Sequence, residues 1–244
     1  MKLEICIDSI ESAIIATECG GHRLEVCSSL VTGGITPHIP FIKTLKKYTD
    51  ISLNVLIRPR HGDFLYSKYE VEQMKCYIEA LAKEGLAHGI VIGALTADGD
   101  LDYGIMKQLI KCSGGMYVTC HRAFDMVRDQ KQALLGLIDL GVDCVLTSGG
   151  KNTALEGLED IKALNAMADG RIAIMPGAGV NLQNFTAIKK ALNPKFVHLS
   201  AKEVLKSGMK YRNENLVMGQ STIDEFSIFR TSASTLKKIV DLSQ

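Results

Sequence analysis

Apolar and polar positions alternate along this chain in short runs, separated by longer stretches that carry the 3.6-residue periodicity of amphipathic helices. The runs recur about every 20 to 35 residues and predict eight strands, at Lys2–Ile7, Arg23–Cys27, Ser52–Ile57, Gly89–Ile92, Met116–Cys120, Cys144–Leu146, Arg171–Met175 and Phe196–Leu199. Helical patterns occupy Ser9–Glu18, Lys68–Glu84, Asp129–Leu140, Ala154–Met167 and Leu182–Leu192, with a last one at Ser232–Leu242. Ser9, Asp129 and Asn181 stand where N-caps belong, and Gly20, Gly85, Gly141 and Gly170 where helices end. Strands alternating with helices fit a closed barrel or an open doubly wound sheet.

The parity of the polar residues separates these two. In Leu3-Glu4-Ile5-Cys6-Ile7-Asp8 the odd positions are apolar while Glu4, Cys6 and Asp8 share the other face, and Leu24-Glu25-Val26-Cys27 repeats the pattern. Central strands of an open sheet are covered by helices on both faces and read as continuous apolar runs, whereas a barrel can hold polar side chains inside its mouth. The pattern therefore predicts an α/β fold, a single (β/α)8 TIM barrel over residues 1–244, with an irregular loop at about 208–227 before the last helix. The length of 244 residues is close to the roughly 250 typical of such barrels.

Composition narrows the partners. With 28 basic against 27 acidic residues and no run of Lys or Arg, the positive field that nucleic acid requires is missing. No apolar run is long enough to span a bilayer, and Glu4 and Asp8 break the first apolar stretch, which argues against a signal peptide. Seven scattered cysteines, without C-x-x-C spacing, are expected to be reduced thiols in a cytoplasmic protein. A homodimer through the barrel helices would be ordinary.

Candidate chemistry gathers at the strand exits, the rim where TIM barrels carry their active sites. After the third strand come Arg58-Pro59-Arg60-His61-Gly62-Asp63, and Pro59 favours an extended Arg58, so both guanidiniums are expected to leave the strand together and hold an anion. After the fifth come His121, Arg122 and Asp125, an acid or base, an anion fork and a carboxylate within five residues. These groups read equally as an ion-pair network closing the mouth, with Arg58 or Arg122 bonded to Glu4, Glu25 or Asp63. Ser148 and Gly149 after the sixth strand, and Gly177 and Gly179 after the seventh, could cradle a phosphate or merely supply tight turns. The eighth strand brings His198.

Cys6 and Cys27 each follow a carboxylate of the same parity on adjacent strands. If both point inward at one height they could take a soft cation such as Cu(I), although buried cysteine is also an ordinary small hydrophobe. Cys120 would be a third thiol near the mouth, while Cys19, Cys76, Cys112 and Cys144 are assigned to packing. No spacing indicates zinc, a nucleotide fingerprint or another organic cofactor.

Leu24-Glu25-Val26-Cys27-Ser28-Ser29-Leu30, Gly33-Gly34-Ile35-Thr36-Pro37, Ile57-Arg58-Pro59-Arg60-His61-Gly62-Asp63-Phe64, Gly93-Ala94-Leu95-Thr96-Ala97-Asp98-Gly99, Thr119-Cys120-His121-Arg122-Ala123-Phe124-Asp125 and Leu146-Thr147-Ser148-Gly149-Gly150 resemble the successive blocks of the CutC copper-homeostasis family over residues 1 to about 200. Two positions depart from it: His38 stands where the family usually has Ser, and Cys120 where an aromatic residue is common. The resemblance implies a TIM barrel, a cytoplasmic location and Cu(I) bound at Cys6 and Cys27. The residues leave a second reading open, an enzyme for a phosphorylated or carboxylated small molecule. There His121 is the general acid or base, Asp125 or Glu25 orients it, and Arg58, Arg60 and Arg122 hold the anion.

Overall fold

In the computed structural model, which describes residues 1–213, 215–216, 218 and 224–244, eight parallel strands form a nearly closed barrel wrapped by helices. The strands are β1 (Lys2–Ile7), β2 (Arg23–Val26), β3 (Ser52–Leu56), β4 (Gly89–Ile92), β5 (Tyr117–Cys120), β6 (Cys144–Thr147), β7 (Ala173–Pro176) and β8 (Phe196–Leu199). Hydrogen-bonded neighbours run β7-β6-β5-β4-β3-β2-β1-β8, and β7 lies beside β8 across the remaining seam. The helices are α1 (Ile10–Glu18), α2 (Ile39–Leu45), α3 (Lys68–Glu84), α4 (Tyr103–Cys112), α5 (Gln130–Asp139), α6 (Leu158–Ala168), α7 (Phe185–Leu192) and α8 (Ala233–Ser243).

Two apolar layers follow from strand alternation. Outward residues such as Leu3, Ile5, Leu24, Val55, Ile90 and Val145 are buried against the helices. Inside the barrel the content divides: Cys144, Leu146, Met175 and Phe196 fill one side, whereas Glu4, Cys6, Glu25 and His198 occupy the other. α3 shows how local signals set the outer ring. Ser67 Oγ accepts from Glu70 N while Glu70 accepts from Ser67 N, Gly85 takes φ +59° at the end, and Val71, Met74, Ile78 and Leu81 form the buried stripe.

Several boundaries differ from the sequence reading for stateable reasons. Ser9 and Asp129 do cap their helices, but Asn181 does not cap α7. Its side chain accepts from Gln183 N and Asn184 N and closes a turn, so the helix starts at Phe185. α6 starts at Leu158 rather than Ala154, because Ala154 N donates to Ala178 O and ties that segment to the turn after β7. The expected loop is bracketed by an antiparallel pair, β9 (Lys202–Lys206) and β10 (Ser227–Thr231), so its last residue, Ser227, is a strand residue. Residues 214, 217 and 219–223 of that expected loop lie outside the described residues.

Candidate functional site

Parallel register decides which inward side chains meet. Cys6 lies opposite Glu25, and Glu4 opposite His198, so β2, β1 and β8 turn these four polar residues toward one side of the barrel interior. One ligand atom each from Cys6, Glu25 and His198 lies within 4.8 Å of the others. Among the described residues this is the only such group of three His, Cys, Asp or Glu side chains. Cys27 stands one layer higher, its N–H bonded to Ile7 O at the end of β1, and lines the same cavity with Leu30, Leu56, Arg58, Phe64 and His121. The cavity measures about 190 Å³.

Below the cluster runs a buried ionic chain. Glu4 is fully buried; Oε2 accepts from Arg23 Nε at 2.5 Å and Asn54 Nδ2 at 3.3 Å, and Oε1 pairs with His198 Nδ1 at 2.9 Å. Arg23 also lies 4.0 Å above the Phe196 ring. Burial by itself would raise the Glu4 carboxyl, but His198 and Arg23 outweigh it and hold it below its usual value. Burial disfavours a charged His198, yet Cys6, Glu25 and Glu4 outweigh it and raise the imidazole well above its usual value. Glu25 is pushed up to about 7 by burial, against the pull of His198, which it faces at 3.6 Å. Burial, Glu25 and Cys6 together push the Cys27 thiol up.

Of the other expected residues, Arg58, His121 and Arg122 line the same cavity, whereas Arg60, Asp125, Ser148, Gly149, Gly177 and Gly179 lie outside its lining. His121 Nδ1 accepts from Ala123 N, so neither Asp125 nor Glu25 orients it, and among the described residues its buried Nε2 has no hydrogen-bond partner. Burial and then Arg58 push this imidazole down to about 3. Gly93 makes room for the ring, since a Cβ there would sit 2.5 Å from His121 Cε1. Gly93→Ala is expected to destabilise the protein by about 1–3 kcal/mol in urea denaturation, because ring and backbone must shift together.

Asp125 is committed elsewhere. Its carboxylate accepts from Arg122 Nε at 2.8 Å, Thr147 Oγ1 at 2.5 Å, and the backbone N–H of Ser148 and Gly150, stapling the β6 exit to the β5 exit. Arg122 also reaches Ser148 Oγ. Arg58 and Arg60 diverge: Arg58 turns inward to the carbonyls of Gly33, Gly34 and Gly62, and Arg60 outward to Asp63 and Glu70. Two of these glycine N–H groups are bonded within the protein. Gly149 N donates to Thr147 Oγ1 and Gly177 N to Thr147 O, while Gly179 O accepts from Asn181 and Asn184. A Cβ on Gly177 would lie 2.4 Å from Leu146 Cδ1, so packing requires that glycine. Cys120 packs between barrel and helices, and Cys76 is exposed on α3 rather than packed.

The CutC family model matches residues 1–203. The chain belongs to the CutC family. It is 45% identical over 240 residues to a family protein named CutC from Parabacteroides distasonis, covering 98% of both chains. It is 43% identical to the human copper homeostasis protein cutC homolog, covering 97% of this chain and 87% of that one. The crystal structure of CutC from Streptococcus agalactiae superposes with a TM-score of 0.77 at 32% identity, over 82% of this chain and 98% of that one. An aldolase barrel at 14% identity and TM-score 0.63 shares the fold alone. Sequence reasoning did not single out Glu4, Arg23 and Asn54 as the support of His198. The signal available was a carboxylate at the parity of Cys6 and an arginine opening a strand.

Proposed function

We propose that this CutC-family barrel binds one Cu(I) ion as its cargo, held by Cys6 and His198 with Glu25 beside them. The observation that carries the reading is the convergence of those three side chains from β1, β2 and β8. Thiolate and imidazole suit a soft monovalent cation, whereas a carboxylate contributes less. His198 gives its Nδ1 to Glu4, the arrangement in which a carboxylate orients a histidine and leaves Nε2 to face a metal. The copper-homeostasis names of the human and streptococcal relatives agree with it.

Cys27 enters this reading in a lesser role than the sequence pattern suggested. It shares the cavity wall but lies outside the close group, and its thiol must be deprotonated against burial. Ligation also requires His198 and Cys6 to shed protons, so affinity rises with pH. A cytoplasmic location belongs to the same reading: the seven cysteines are free thiols, and among the described residues no helix is long and apolar enough to cross a membrane.

Anaerobic Cu(I) competition titration tests the proposal. Wild type should take one equivalent, Cys6→Ser should lose at least a hundredfold in affinity, and Cys27→Ser should lose less than Cys6→Ser. Glu4→Gln should lose about 10–100-fold, as when an orienting carboxylate is removed from a metal site. Unchanged binding by Cys6→Ser would remove the basis for the assignment.

A further inference from the structure

On the β7 and β8 side of Cys6 and His198 the barrel mouth opens into a larger cavity of about 470 Å³, bounded by the turns after those strands and by α8. Arg122 and Lys202 line it, and among the described residues no carboxylate does. The neighbouring cavities at the mouth carry Glu25 or Asp8 instead. Arg122 gives Nε to Asp125 and Nη2 to Ser148 Oγ and Lys151 O, which leaves Nη1 without a bond among the described residues on a side chain that is 42% exposed. Lys202 is exposed, its ammonium 5.2 Å from the Phe229 ring centroid, and among the described residues it enters no ion pair. A concave surface with cationic side chains and no acid is complementary to an anion.

The two turns add backbone donors. Among the described residues, the N–H groups of Ala178, Gly179 and Val180 after β7 and of Ser200 and Ala201 after β8 have no acceptor. Val180 and Ala201 are each 8% exposed, and a buried N–H left unpaired is costly. Ala178 takes φ +73° and Ala201 φ +45°. Asp169 and Asn193 are also left-handed, but they close α6 and α7 as C-caps. The two alanines close no helix and both line the cavity. Such a conformation costs a residue with a Cβ on the order of 1–3 kcal/mol and recurs at ligand clamps. The groups are also neighbours. Arg122 is bonded to Ser148 at the β6 exit, Gly177 N donates to Thr147 O at 3.0 Å, and a Cβ on Gly177 would lie 3.2 Å from His198 Cβ. The exits of β6, β7 and β8 therefore stand side by side around this cavity.

We propose that this cavity binds a small phosphomonoester, its phosphate taken by Arg122, Lys202 and the N–H groups of the turns after β7 and β8, and its organic part lying toward Cys6 and His198. The donor set separates phosphate from carboxylate. Three phosphate oxygens use charged and backbone donors arriving from several sides, as two side chains and two turns supply here, whereas a planar carboxylate is served by one fork. The volume falls within the ~300–1,000 Å³ of small-molecule sites and holds a phosphate with a short carbon chain. The site stands or falls independently of copper, since neither Arg122 nor Lys202 belongs to the close group of Cys6, Glu25 and His198.

Calorimetric titration and thermal shift on the full, chelator-treated chain test it with glycerol 3-phosphate, glycerate and glycerol. Glycerol 3-phosphate should bind and raise Tm, glycerate should bind about tenfold more weakly or worse, and glycerol should leave Tm unchanged. Lys202→Gln and Arg122→Gln should each weaken phosphate-ester binding about tenfold, the loss of one charge-assisted contact. Should Arg122→Gln fail to fold, the exposed Lys202 and the backbone decide. In ¹⁵N-labelled wild type the amide signals of Gly179, Val180, Ser200 and Ala201 should move on saturation with glycerol 3-phosphate, while that of Gly85, beyond the end of α3 at the opposite face of the barrel, should stay put. Glycerate or glycerol binding as well as the phosphate ester, Lys202→Gln binding as well as wild type, unmoved turn amides, or no binding up to high millimolar concentration would each overturn the proposal.

Discussion

Glu4→Gln is expected to lower the unfolding free energy by about 3–5 kcal/mol, the usual cost of leaving a buried ion without its partner. The substitution keeps the shape of the side chain but removes the carboxylate charge bonded to Arg23, the only one among the described residues, and the one bonded to His198 Nδ1. His198 can respond by losing its proton, whereas Arg23 cannot. The contact of Arg23 with the Phe196 ring offsets part of the loss, which favours the lower end of that range. For a chain of this length the fall in Tm is on the order of 10 °C. Chemical denaturation of Glu4→Gln beside the double variant Glu4→Leu/Arg23→Met checks the cause. The double variant should recover more than half of the loss, because no charge is then stranded. A single variant within about 1 kcal/mol of wild type would show that Arg23 finds solvent or another partner.

Glu25 should make the metal-free protein less stable as pH rises from about 4.5 to about 7. Its folded-state value of about 7 lies above the ordinary 4.5, so in that window the native state holds a proton that the unfolded chain has released. Unfolding free energy therefore falls with rising pH, by on the order of 3 kcal/mol in all, and this contribution is flat above pH 7. The groups facing Glu25 set the comparison. His198 has the same sign, since a raised imidazolium stabilises below its unfolded value of 6.5 and that stability fades as pH climbs through the higher folded value. Glu4 acts oppositely and further down, its stabilisation being lost as pH drops below 4.5. Urea denaturation of wild type and Glu25→Gln at intervals between pH 4.5 and 8 isolates the term: the variant should gain on wild type steadily up to pH 7. A constant difference across that range would mean that Glu25 is ionised throughout in the folded state.

What was legible along the chain was what is local. Strand and helix recurrence, the inward parity of Glu4, Cys6, Glu25 and Cys27, the capping of α1 and α5, and the ordered blocks of the CutC family all depend on residues near one another in sequence, and they determined a TIM barrel of that family. β9 and β10 escaped because periodicity reports a buried face, and every residue of β9 is exposed; the two strands pair only with each other.

The site was decided by register and closure. Parity alone put Cys6 and Cys27 on one face at an unspecified height. The parallel ladder sets Cys6 opposite Glu25, which lifts Cys27 a layer above and makes His198, nearly 200 residues away in sequence, the neighbour of Glu4 and Cys6. Likewise Arg58 and Arg60 look equivalent in sequence, yet the backbone of the loops sends one to buried carbonyls and the other to Asp63 and Glu70. Side-chain identity fixes what a residue can do, but a charge's partner lies across strands, and only the tertiary structure determines which groups share a dry interior and therefore which must pair.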